Sequence, residues 1–485
     1  MKRRQFVTGT GAALLAPLVG CGGGGGTDGL APSTLIPGGG TPSAAPPLPV
    51  LPLMAGGNFA LNLQQGSAAF LAGLSTPTYG INGNYLGPTL RMRRGENVAF
   101  AVTNSLSEPA AIHWHGLHIP AAMDGGPHQT IAPGGTWRPS FNVRQAGGTF
   151  WYHAHTAGET GRQVTMGLAG MIVIDDDNMD ALDLPHTWGD DDIPLVVQDR
   201  RFHADGRFAY LSNAMPDIIG GMMGDRILVN GAITPRASVP AKEVRFRLLN
   251  GANARVFRFA FAGQRTFQVI ASDGGLLEAP VAATTLTLSP GERAEIVVDF
   301  TADAGRTLTL NDIASGLRVL EIGIDRAAGR VTHVPARLAI APRADEATAL
   351  RTRDFVFGMT MGGGMGGMGM AGTMGMGFTI NGRLFDPQRP DFASRALAPE
   401  LWEIANLTAM DHPMHLHGTQ FQVVARERGG VVLAPAVRAW KDTVNVAAGE
   451  TVRFVATQAM SGRRLLHCHI LEHEDQGMMA TVVVT

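Results

Sequence analysis

Near the C-terminus stands the stretch His467-Cys468-His469-Ile470-Leu471-Glu472-His473, with Met478 five residues further on. If this stretch begins as a β-strand, alternate side chains point to the same face, so His467 and His469 face one way and Cys468 the other. A metal ion held by Cys468 would then be joined through a few covalent bonds to metals held by the two histidines. The stretch therefore predicts two adjoining metal sites with a short electron path between them.

Histidines cluster in the same manner at three other places in the chain. Ten of the 15 histidines lie in four short runs, and each run contains a His-x-His pair. Random placement would give roughly half of one such pair, so the clustering needs a cause, and metal ligation is the usual one. The other three runs are His113-Trp114-His115-Gly116, Trp151-Tyr152-His153-Ala154-His155 and His412-Pro413-Met414-His415-Leu416-His417-Gly418.

Composition narrows the class of protein. Charged residues make up 16% of the chain and the net charge is −2, which gives nucleic-acid binding no electrostatic support. The only two cysteines are Cys21 and Cys468, so no disulfide framework is available. The 63 Gly and 29 Pro favour a turn-rich β protein over a helical one.

The N-terminal residues resemble an export signal. Lys2-Arg3-Arg4-Gln5-Phe6-Val7 is similar to a twin-arginine signal, and the apolar stretch after it is shorter than the ~20 residues that span a bilayer. Leu18-Val19-Gly20-Cys21 resembles a lipobox, in which Cys21 would be acylated; the alternative is an ordinary cleaved signal with a chance cysteine. We expect residues 1–21 to be a twin-arginine lipoprotein signal and residues 22–53 a flexible Gly/Pro linker.

Such an export signal predicts a location outside the cytoplasm. The protein would be periplasmic or held at the outer membrane, with the lipid anchor as its only contact with the membrane. We further expect a monomer.

From about residue 54 the chain is a succession of short apolar runs broken by Gly, Pro, Asn and Asp. Residues 244–248 alternate apolar and polar, as a half-buried strand does, and no long segment has a period of 3.6 residues. These features predict an all-β protein of the β-sandwich type. The clearest strand segments are 243–249, 295–300, 401–405, 451–456 and 481–485.

Two polar breaks, at residues 175–192 and 343–353, divide this part of the chain. The histidine runs fall in the first and third divisions, so we expect the middle one to act as a spacer. The predicted domains are 54–180, 190–345 and 350–485, the last with a Met-rich segment at 358–377.

The donor atoms suit copper. Cys468, His473 and a histidine from the run beginning at His412 would give the His₂Cys set of a blue-copper centre, with Met478 as the weak axial ligand. The remaining eight histidines are enough for three more coppers. Four coppers store the four electrons that reduce O2 to two waters.

On these motifs the chain resembles the multicopper oxidases, most of all the bacterial copper-efflux (cuprous) oxidases, which are similar to bilirubin oxidases and laccases. The resemblance implies three cupredoxin-like, Greek-key β-sandwich domains, with a three-copper cluster between the first and the third. Further stretches that carry it are His113–Leu117, Gly161–Gly170, Leu248–Arg255, Ala271–Leu277, Ile380–Gly382 and His467–Asp475.

The resemblance also implies a ligand for every copper. Four copper ions are expected: one type 1, one type 2 and a type 3 pair. The implied ligands are His412, Cys468, His473 and Met478 for type 1; His113 and His415 for type 2; His115, His153 and His469 for one type 3 copper; and His155, His417 and His467 for the other.

Two carboxylates match acids that feed protons to the cluster in that family. They are Asp124, nine residues after His115, and Glu474, directly after His473. Reduction of O2 consumes four protons in a buried site, so a carboxylate relay is required. The alternative for Asp124 is a turn residue, and for Glu474 a solvated carboxylate.

The segment 358–377 contains seven Met among ten Gly. Thioethers are soft ligands that prefer Cu(I), and the resemblance implies a substrate Cu(I) site beside the type 1 copper. Here that site would use Met359, Met361 and Met410, with Asp411 as the candidate to replace the acid of the family. This segment is richer in Gly than its counterparts, and Thr408 stands where the family has an acid. The alternative is a low-complexity linker.

Together these features predict an oxidase of Cu(I) that reduces O2 to water outside the cytoplasm, in copper tolerance. The enzyme alternative is a laccase-like oxidase of phenols or aromatic amines. The alternative of another class is a non-catalytic copper-binding or assembly protein. The partners would be O2 and either Cu(I) or a small reducing substrate.

Overall fold

The computed structural model of the protein describes residues 45–361 and 376–485. Six β-sheets pair into three sandwiches that follow one another along the chain. The prediction of an all-β fold with three cupredoxin-like domains is confirmed. No helix in the described residues is long and apolar enough to cross a membrane.

The first sandwich joins a five-stranded sheet in the order β1-β4-β10-β9-β6 to a second sheet in the order β3-β2-β5-β7, with β8 also paired to β5. Alternate residues of β2 point inward, so Phe59, Leu61 and Leu63 are buried against Trp114 and Phe150 of the facing sheet. Its strands are β1 (Leu53–Ala55), β2 (Asn58–Ala68), β3 (Thr76–Ile81), β4 (Thr89–Arg93), β5 (Asn97–Asn104), β6 (Ile112–His115), β7 (Thr136–Trp137), β8 (Ser140–Asn142), β9 (Gly148–Ala154) and β10 (Ala169–Asp175).

The second sandwich has sheets in the orders β13-β12-β11-β15-β20-β17-β18 and β14-β22-β21-β16-β19. Phe246, Phe257 and Phe259 fill the space between them. Its strands are β11 (Asp192–Arg200), β12 (Arg226–Val229), β13 (Ala232–Ile233), β14 (Arg236–Pro240), β15 (Glu243–Asn250), β16 (Phe257–Phe261), β17 (Phe267–Ser272), β18 (Gly275–Ala283), β19 (Leu286–Leu288), β20 (Arg293–Asp299), β21 (Thr307–Asp312) and β22 (Leu317–Arg326).

The third sandwich has sheets in the orders β24-β23-β26-β32-β28-β29 and β25-β34-β33-β27-β31, with β30 paired to β28. Trp402 and Phe454 of one sheet pack in one buried cluster with Met414 and Leu466 of the other. Its strands are β23 (Thr352–Met361), β24 (Met376–Ile380), β25 (Phe392–Ser394), β26 (Pro399–Asn406), β27 (His412–Leu416), β28 (Phe421–Arg428), β29 (Val431–Leu433), β30 (Trp440–Lys441), β31 (Thr443–Val446), β32 (Glu450–Thr457), β33 (Gly462–Cys468) and β34 (Met479–Val484).

Helices within the described residues are short and lie in the connections. The α-helices are α1 (Thr160–Met166), α2 (Asp177–Asp180), α3 (Ala214–Ile219) and α4 (Leu471–Asp475), and 3-10 turns occur at Ala121–Met123, Ala262–Gln264 and Glu346–Thr348. The five predicted strand segments coincide, to within a residue or two, with β15, β20, β26, β32 and β34.

Residues 244–248 form a strand as predicted, but the expectation that one face of it is exposed is wrong. Arg245 and Arg247, on the polar face of β15, are both buried. Arg247 pairs with Asp192 and Glu295, and it also donates to the Thr149 hydroxyl of the first sandwich at 3.2 Å. The polar face therefore packs against another domain instead of water, and its charges are compensated there.

Candidate metal centre

Strand pairing brings the four histidine runs together. In the first sandwich β6 pairs with β9 so that His113 lies opposite His153, and in the third β27 pairs with β33 so that His415 lies opposite His467. The two sets then meet face to face between the domains, and the ring centroids of His113 and His417 are 3.8 Å apart. Eight histidines thus form one buried cluster.

The thiol group lies beside this cluster. Cys468 Sγ is 3.5 Å from His412 Nδ1 and 3.7 Å from His473 Nδ1. The outer nitrogens of both imidazoles are engaged elsewhere: His412 Nε2 donates to the Thr408 hydroxyl at 2.8 Å and His473 Nε2 to the Ile219 carbonyl at 3.1 Å. These bonds leave both Nδ1 atoms free to bind a metal.

Met478 lies in the same buried cluster of side chains as Cys468. Its carbonyl accepts a hydrogen bond from the Cys468 backbone N–H at 3.0 Å. The structure therefore brings His412, Cys468 and His473 within reach of one metal and pairs the backbone of Met478 with that of Cys468.

Three histidines of the cluster have their Nδ1 atoms close to a carboxylate. His417 Nδ1 lies 3.2 Å from Asp124 Oδ2, while His155 and His467 each place Nδ1 3.2 Å from an oxygen of Glu474. The inner nitrogens converge, with His417 Nε2 3.1 Å from His467 Nε2. The contact between His417 and Asp124 is the arrangement in which a carboxylate orients an imidazole for metal binding, whereas His467 Nδ1 donates to the Cys468 carbonyl at 2.9 Å.

His113 and His415 form a second group. Their Nδ1 atoms donate to the backbone carbonyls of Asp124 and Asp442, each at 2.9 Å. Their Nε2 atoms are 3.4 Å apart. The pair predicted for the type 2 copper is therefore placed together.

The remaining group is His115, His153 and His469, whose ring centroids lie between 5.0 and 5.6 Å from one another. His153 Nδ1 donates to the Ala154 carbonyl at 2.8 Å. His115 is turned the other way, because its Nε2 donates to Asp442 Oδ1 at 3.0 Å, which leaves Nδ1 for a metal. A group of ligand atoms close enough to share one metal also forms from His113, His115 and His153.

Burial lowers the pKa of nine of the histidines described above and so favours their neutral form. It lowers the pKa of His155 and His412 to about 4 and that of His469 to about 3. Nε2 of His153, His155 and His469 has no hydrogen-bond partner although it is buried, and such atoms are costly unless something satisfies them. Imidazole and thiolate donors suit copper, so the donor set fits copper ions. Burial also lowers, well below its ordinary value, the pKa of His113, His115, His153, His415, His417 and His473.

Comparison with known proteins agrees with this donor set. Family models described as multicopper oxidase match residues 62–179, 200–311 and 364–485. The multicopper oxidase mco of Staphylococcus aureus is 34% identical over 432 residues, 88% of each chain. The chain belongs to the multicopper oxidase family. Its membership supports an oxidase that uses copper ions.

Two further proteins are similar to this multicopper oxidase over most of its length. The cell division protein FtsP of Pectobacterium atrosepticum is 33% identical over 503 residues, covering 100% of this chain and 99% of that one. A solved structure, the laccase-like multicopper oxidase CueO of the lignin-degrading bacterium Ochrobactrum sp., has a TM-score of 0.82 and 37% identity, covering 90% of this chain and 100% of that one. That protein has oxidase activity towards lignin model compounds and lignosulfonate.

A cavity of about 270 Å³ in this multicopper oxidase is lined both by exposed residues and by the histidine cluster. Exposed His128 belongs to its lining, as do buried Asp124 and His417. Burial raises the pKa of the Asp124 carboxyl to about 7, against the opposing charge of Arg464. The cavity therefore extends from exposed residues to Asp124 and His417 at the edge of the cluster.

Glu474 lies between two ligand histidines and accepts a hydrogen bond from the Thr160 hydroxyl at 2.7 Å. Burial alone would raise the pKa of Glu474, but His155, His467 and Thr160 together hold it below its usual value. Both acids predicted from the sequence thus contact imidazoles of the cluster.

The Met-rich segment joins β23 to β24, which form an antiparallel hairpin. Met359 is 47% exposed and pairs in register with Phe378, whose ring stacks on His473 at 3.8 Å. The backbone of Met361 pairs with Met376, and residues 362–375 lie outside the described residues. The base of the hairpin is therefore beside the Cys468 site.

The other two residues predicted for substrate copper are placed differently from each other. Met410 is half-buried and packs against the core of the third sandwich. Both oxygens of Asp411 accept hydrogen bonds, one from Asn445 Nδ2 at 2.8 Å and one from the Ala448 N–H at 3.2 Å. These bonds hold the Asp411 carboxylate against Asn445 and Ala448.

The middle domain contributes to the site, so the expectation that it only spaces its neighbours is wrong. Its Ile219 carbonyl holds His473. A side chain at Gly291, which has φ +83°, would meet His469 Nε2 at 3.0 Å. Its Arg293 forms a bidentate ion pair with Asp442. Neither Arg293 nor Asp442 stands in a ligand motif, so no spacing in the sequence indicated them.

Proposed function

We propose that this multicopper oxidase oxidises Cu(I) outside the cytoplasm and couples that oxidation to the four-electron reduction of O2 to water, in copper tolerance. The observation that carries the proposal is the position of Cys468 between His467 and His469, which lie in two different histidine groups. Copper bound beside Cys468 would accept electrons one at a time, and copper bound in the histidine cluster would reduce O2. Electrons would then pass from the thiol to the cluster along one short length of backbone.

The proposed ligands are those that the structure brings together. Asp124 and Glu474 hold imidazoles in place, and we propose that their carboxyl groups also move protons into the cluster. Burial of every ligand keeps bulk water away from the donor atoms, whereas the cavity at Asp124 leaves a way in for O2. The proposed sets are His412, Cys468, His473 and Met478 for type 1; His113 and His415 for type 2; and His115, His153 and His469 with His155, His417 and His467 for the type 3 pair.

Cu(I) as the electron donor is supported by the hairpin that carries the methionines. Its base contacts His473 through Phe378, and Met359 beside it is half exposed. A soft cation bound by thioethers in this hairpin would therefore be close to the Cys468 site.

A laccase-like oxidation of phenols or aromatic amines is the second candidate. Two observations favour it: the neutral Thr408 hydroxyl covers His412 Nε2, and Asp411 is engaged by other groups. The laccase-like relative from Ochrobactrum points the same way. A non-catalytic role, suggested by the similarity to FtsP, would predict no O2 uptake by copper-loaded protein.

Replacement of residues 362–375 by a short Gly/Ser turn is the test of the electron donor. We expect KM for Cu(I) to rise tenfold or more, the loss of about 1.4 kcal/mol of binding per factor of ten. The blue absorption band expected from copper bound at Cys468 should remain, because the copper ligands lie outside the segment. Bulky phenols should be oxidised as well as by wild type or better. Steady-state kinetics with each donor measures both effects.

A matched variant distinguishes Cu(I) binding by the segment from steric shielding of the Cys468 site against larger substrates. The combined substitutions Met365→Leu, Met368→Leu, Met370→Leu and Met374→Leu keep the length and apolar character of the segment but remove its thioethers. This variant should raise KM for Cu(I) as the deletion does, without improving phenol oxidation. Unchanged Cu(I) kinetics in both variants would reject the Cu(I) proposal and favour the laccase-like function.

We also propose twin-arginine export and a lipid anchor on Cys21, which lies outside the described residues. Cys21→Ala should release a membrane-associated protein into the soluble fraction or leave it unprocessed, because no thiol remains to be acylated. Membrane fractionation with immunodetection measures this, and Cys468→Ser is the control, since it removes the other cysteine. Wild-type protein found free of the membrane would reject the anchor.

A further inference from the structure

Arg293 begins β20 of the middle domain, and its guanidinium is buried where three domains meet. All five of its N–H donors are used. Nε donates to the Thr149 carbonyl of the first sandwich at 3.1 Å, and Nη1 and Nη2 donate to the Asp442 carboxylate of the third at 2.7 and 2.6 Å. The other two donors reach the carbonyls of Gly291 and Asp273 in its own domain, each at 2.9 Å.

Asp442 in turn holds two imidazoles of the histidine cluster. Its Oδ1 accepts from His115 Nε2 at 3.0 Å, and its backbone carbonyl accepts from His415 Nδ1 at 2.9 Å. The strand β31 that follows Asp442 pairs with β27, which fixes the carbonyl opposite His415. One residue therefore orients ligands of two different groups.

The bond to His115 has a chemical consequence. An imidazole binds a metal through the nitrogen that does not carry its proton, and the hydrogen bond made by the other nitrogen selects which one that is. A carboxylate that accepts from Nε2 keeps the proton on that nitrogen and leaves Nδ1 of His115 available to a metal. In His113 and His415 the roles are reversed, because Nδ1 donates and Nε2 is available.

The carboxylate can do this only while both of its oxygens are held in place. Asp442 is buried without access to water, and a buried carboxylate without a cation is strongly disfavoured. The planar guanidinium of an arginine can donate to both carboxylate oxygens at once, whereas a lysine ammonium is a point charge that does not fix the orientation of the carboxylate.

We infer that Arg293 and Asp442 form a positioning pair through which the middle domain sets the ring orientation and proton position of His115 and supports His415. The pair makes the geometry of the histidine cluster depend on correct docking of all three domains. This inference rests on the proposed copper-binding function of the cluster.

The chain offers a matched control for a merely structural role. Arg247 is also a buried arginine of the middle domain, it makes a bidentate ion pair with Asp192, and it contacts the same Thr149 through the hydroxyl. It makes no contact with a histidine of the cluster in the described structure. Loss of domain packing alone should affect Arg247→Lys and Arg293→Lys alike.

The experiment compares Arg293→Lys, Asp442→Asn and Arg247→Lys with wild type after copper loading. Removal of such an outer partner typically weakens metal affinity 10–100-fold, so we expect a loss of about that size at the histidine cluster in the first two variants. Copper titration of the metal-free protein and the electron paramagnetic resonance spectrum of the type 2 copper measure it. The blue band of the Cys468 site should be unchanged, and Arg247→Lys should match wild type in affinity and spectrum.

Two results would overturn the inference: wild-type affinity and spectrum in both Arg293→Lys and Asp442→Asn, or an equal loss in Arg247→Lys. If Arg293→Lys does not fold, Asp442→Asn decides alone, because it keeps the side-chain volume and the backbone carbonyl to His415 and changes only the side-chain group that faces His115 and Arg293. A wild-type protein with no type 2 signal would instead contradict the proposed function.

Discussion

Cys468→Ser should abolish both the visible blue band and all oxidase activity. The band arises from charge transfer between a cysteine thiolate and copper, and a serine hydroxyl neither ionises in this site nor offers a soft donor. Burial already raises the pKa of the Cys468 thiol, so the thiolate exists there only when a metal stabilises it. Visible absorption and O2 uptake of the copper-loaded variant measure the two losses.

Met478→Leu is the control for this substitution. It replaces a buried side chain of the same cluster with one of similar volume, and it removes only the weak axial donor. We expect the blue band to remain in Met478→Leu, with altered electron-transfer rates. Copper analysis of Cys468→Ser should show one copper fewer per chain than wild type. A colourless wild type that is fully loaded with copper would contradict the assignment of Cys468.

The sequence predicted the parts of the site that depend on spacing along a strand. His113 and His115 lie on β6, and Cys468 ends β33 between two histidines, so the period of two residues is enough to divide the donors between adjoining places. Residue chemistry then points to copper, since thiolate, thioether and imidazole together suit it better than other common metals.

What the sequence did not predict depends on contacts between distant parts of the chain. Arg293 and Asp442 are 149 residues apart, and each alone has the appearance of an ordinary surface charge. In the same way, the alternation around Arg245 is typical of a strand with one face in water, yet that face is covered by another domain. Local periodicity records which face of a strand is polar, but not whether a partner buries it.

Tertiary contacts also change the interpretation of Thr408, which stands where the family has an acid. From the sequence, Asp411 was a candidate to replace the missing acid, because it lies one residue before His412. In the structure its two oxygens are bound by Asn445 and Ala448, while the Thr408 hydroxyl contacts His412 itself. A neutral hydroxyl, and not a carboxylate, is thus the group that contacts His412 Nε2.

Asp124→Asn should leave the copper content intact and slow the reoxidation of the reduced protein by O2 by roughly 100-fold, the lower end of what a positioned acid contributes. His113 is held by the backbone carbonyl of Asp124 rather than by its carboxylate, so the substitution does not remove that support. The amide oxygen of the variant can still accept from His417 Nδ1, which lies 3.2 Å from Asp124 Oδ2 in the wild-type structure. What is lost is an exchangeable proton on the carboxyl group that borders the cavity.

Stopped-flow reoxidation with copper analysis of the same samples tests this prediction. Asp312→Asn is the matched control, because Asp312 is equally buried, accepts a hydrogen bond from the Arg258 N–H at 2.8 Å and lies in the middle domain without contact to the described histidine cluster. It should reoxidise at the wild-type rate. If Asp124→Asn does so too, the carboxyl of Asp124 moves no proton and its place in the Asp-Gly-Gly turn accounts for it; if it loses copper, its role is to orient His417. A slow variant with full copper leaves proton delivery as the function of this carboxyl group.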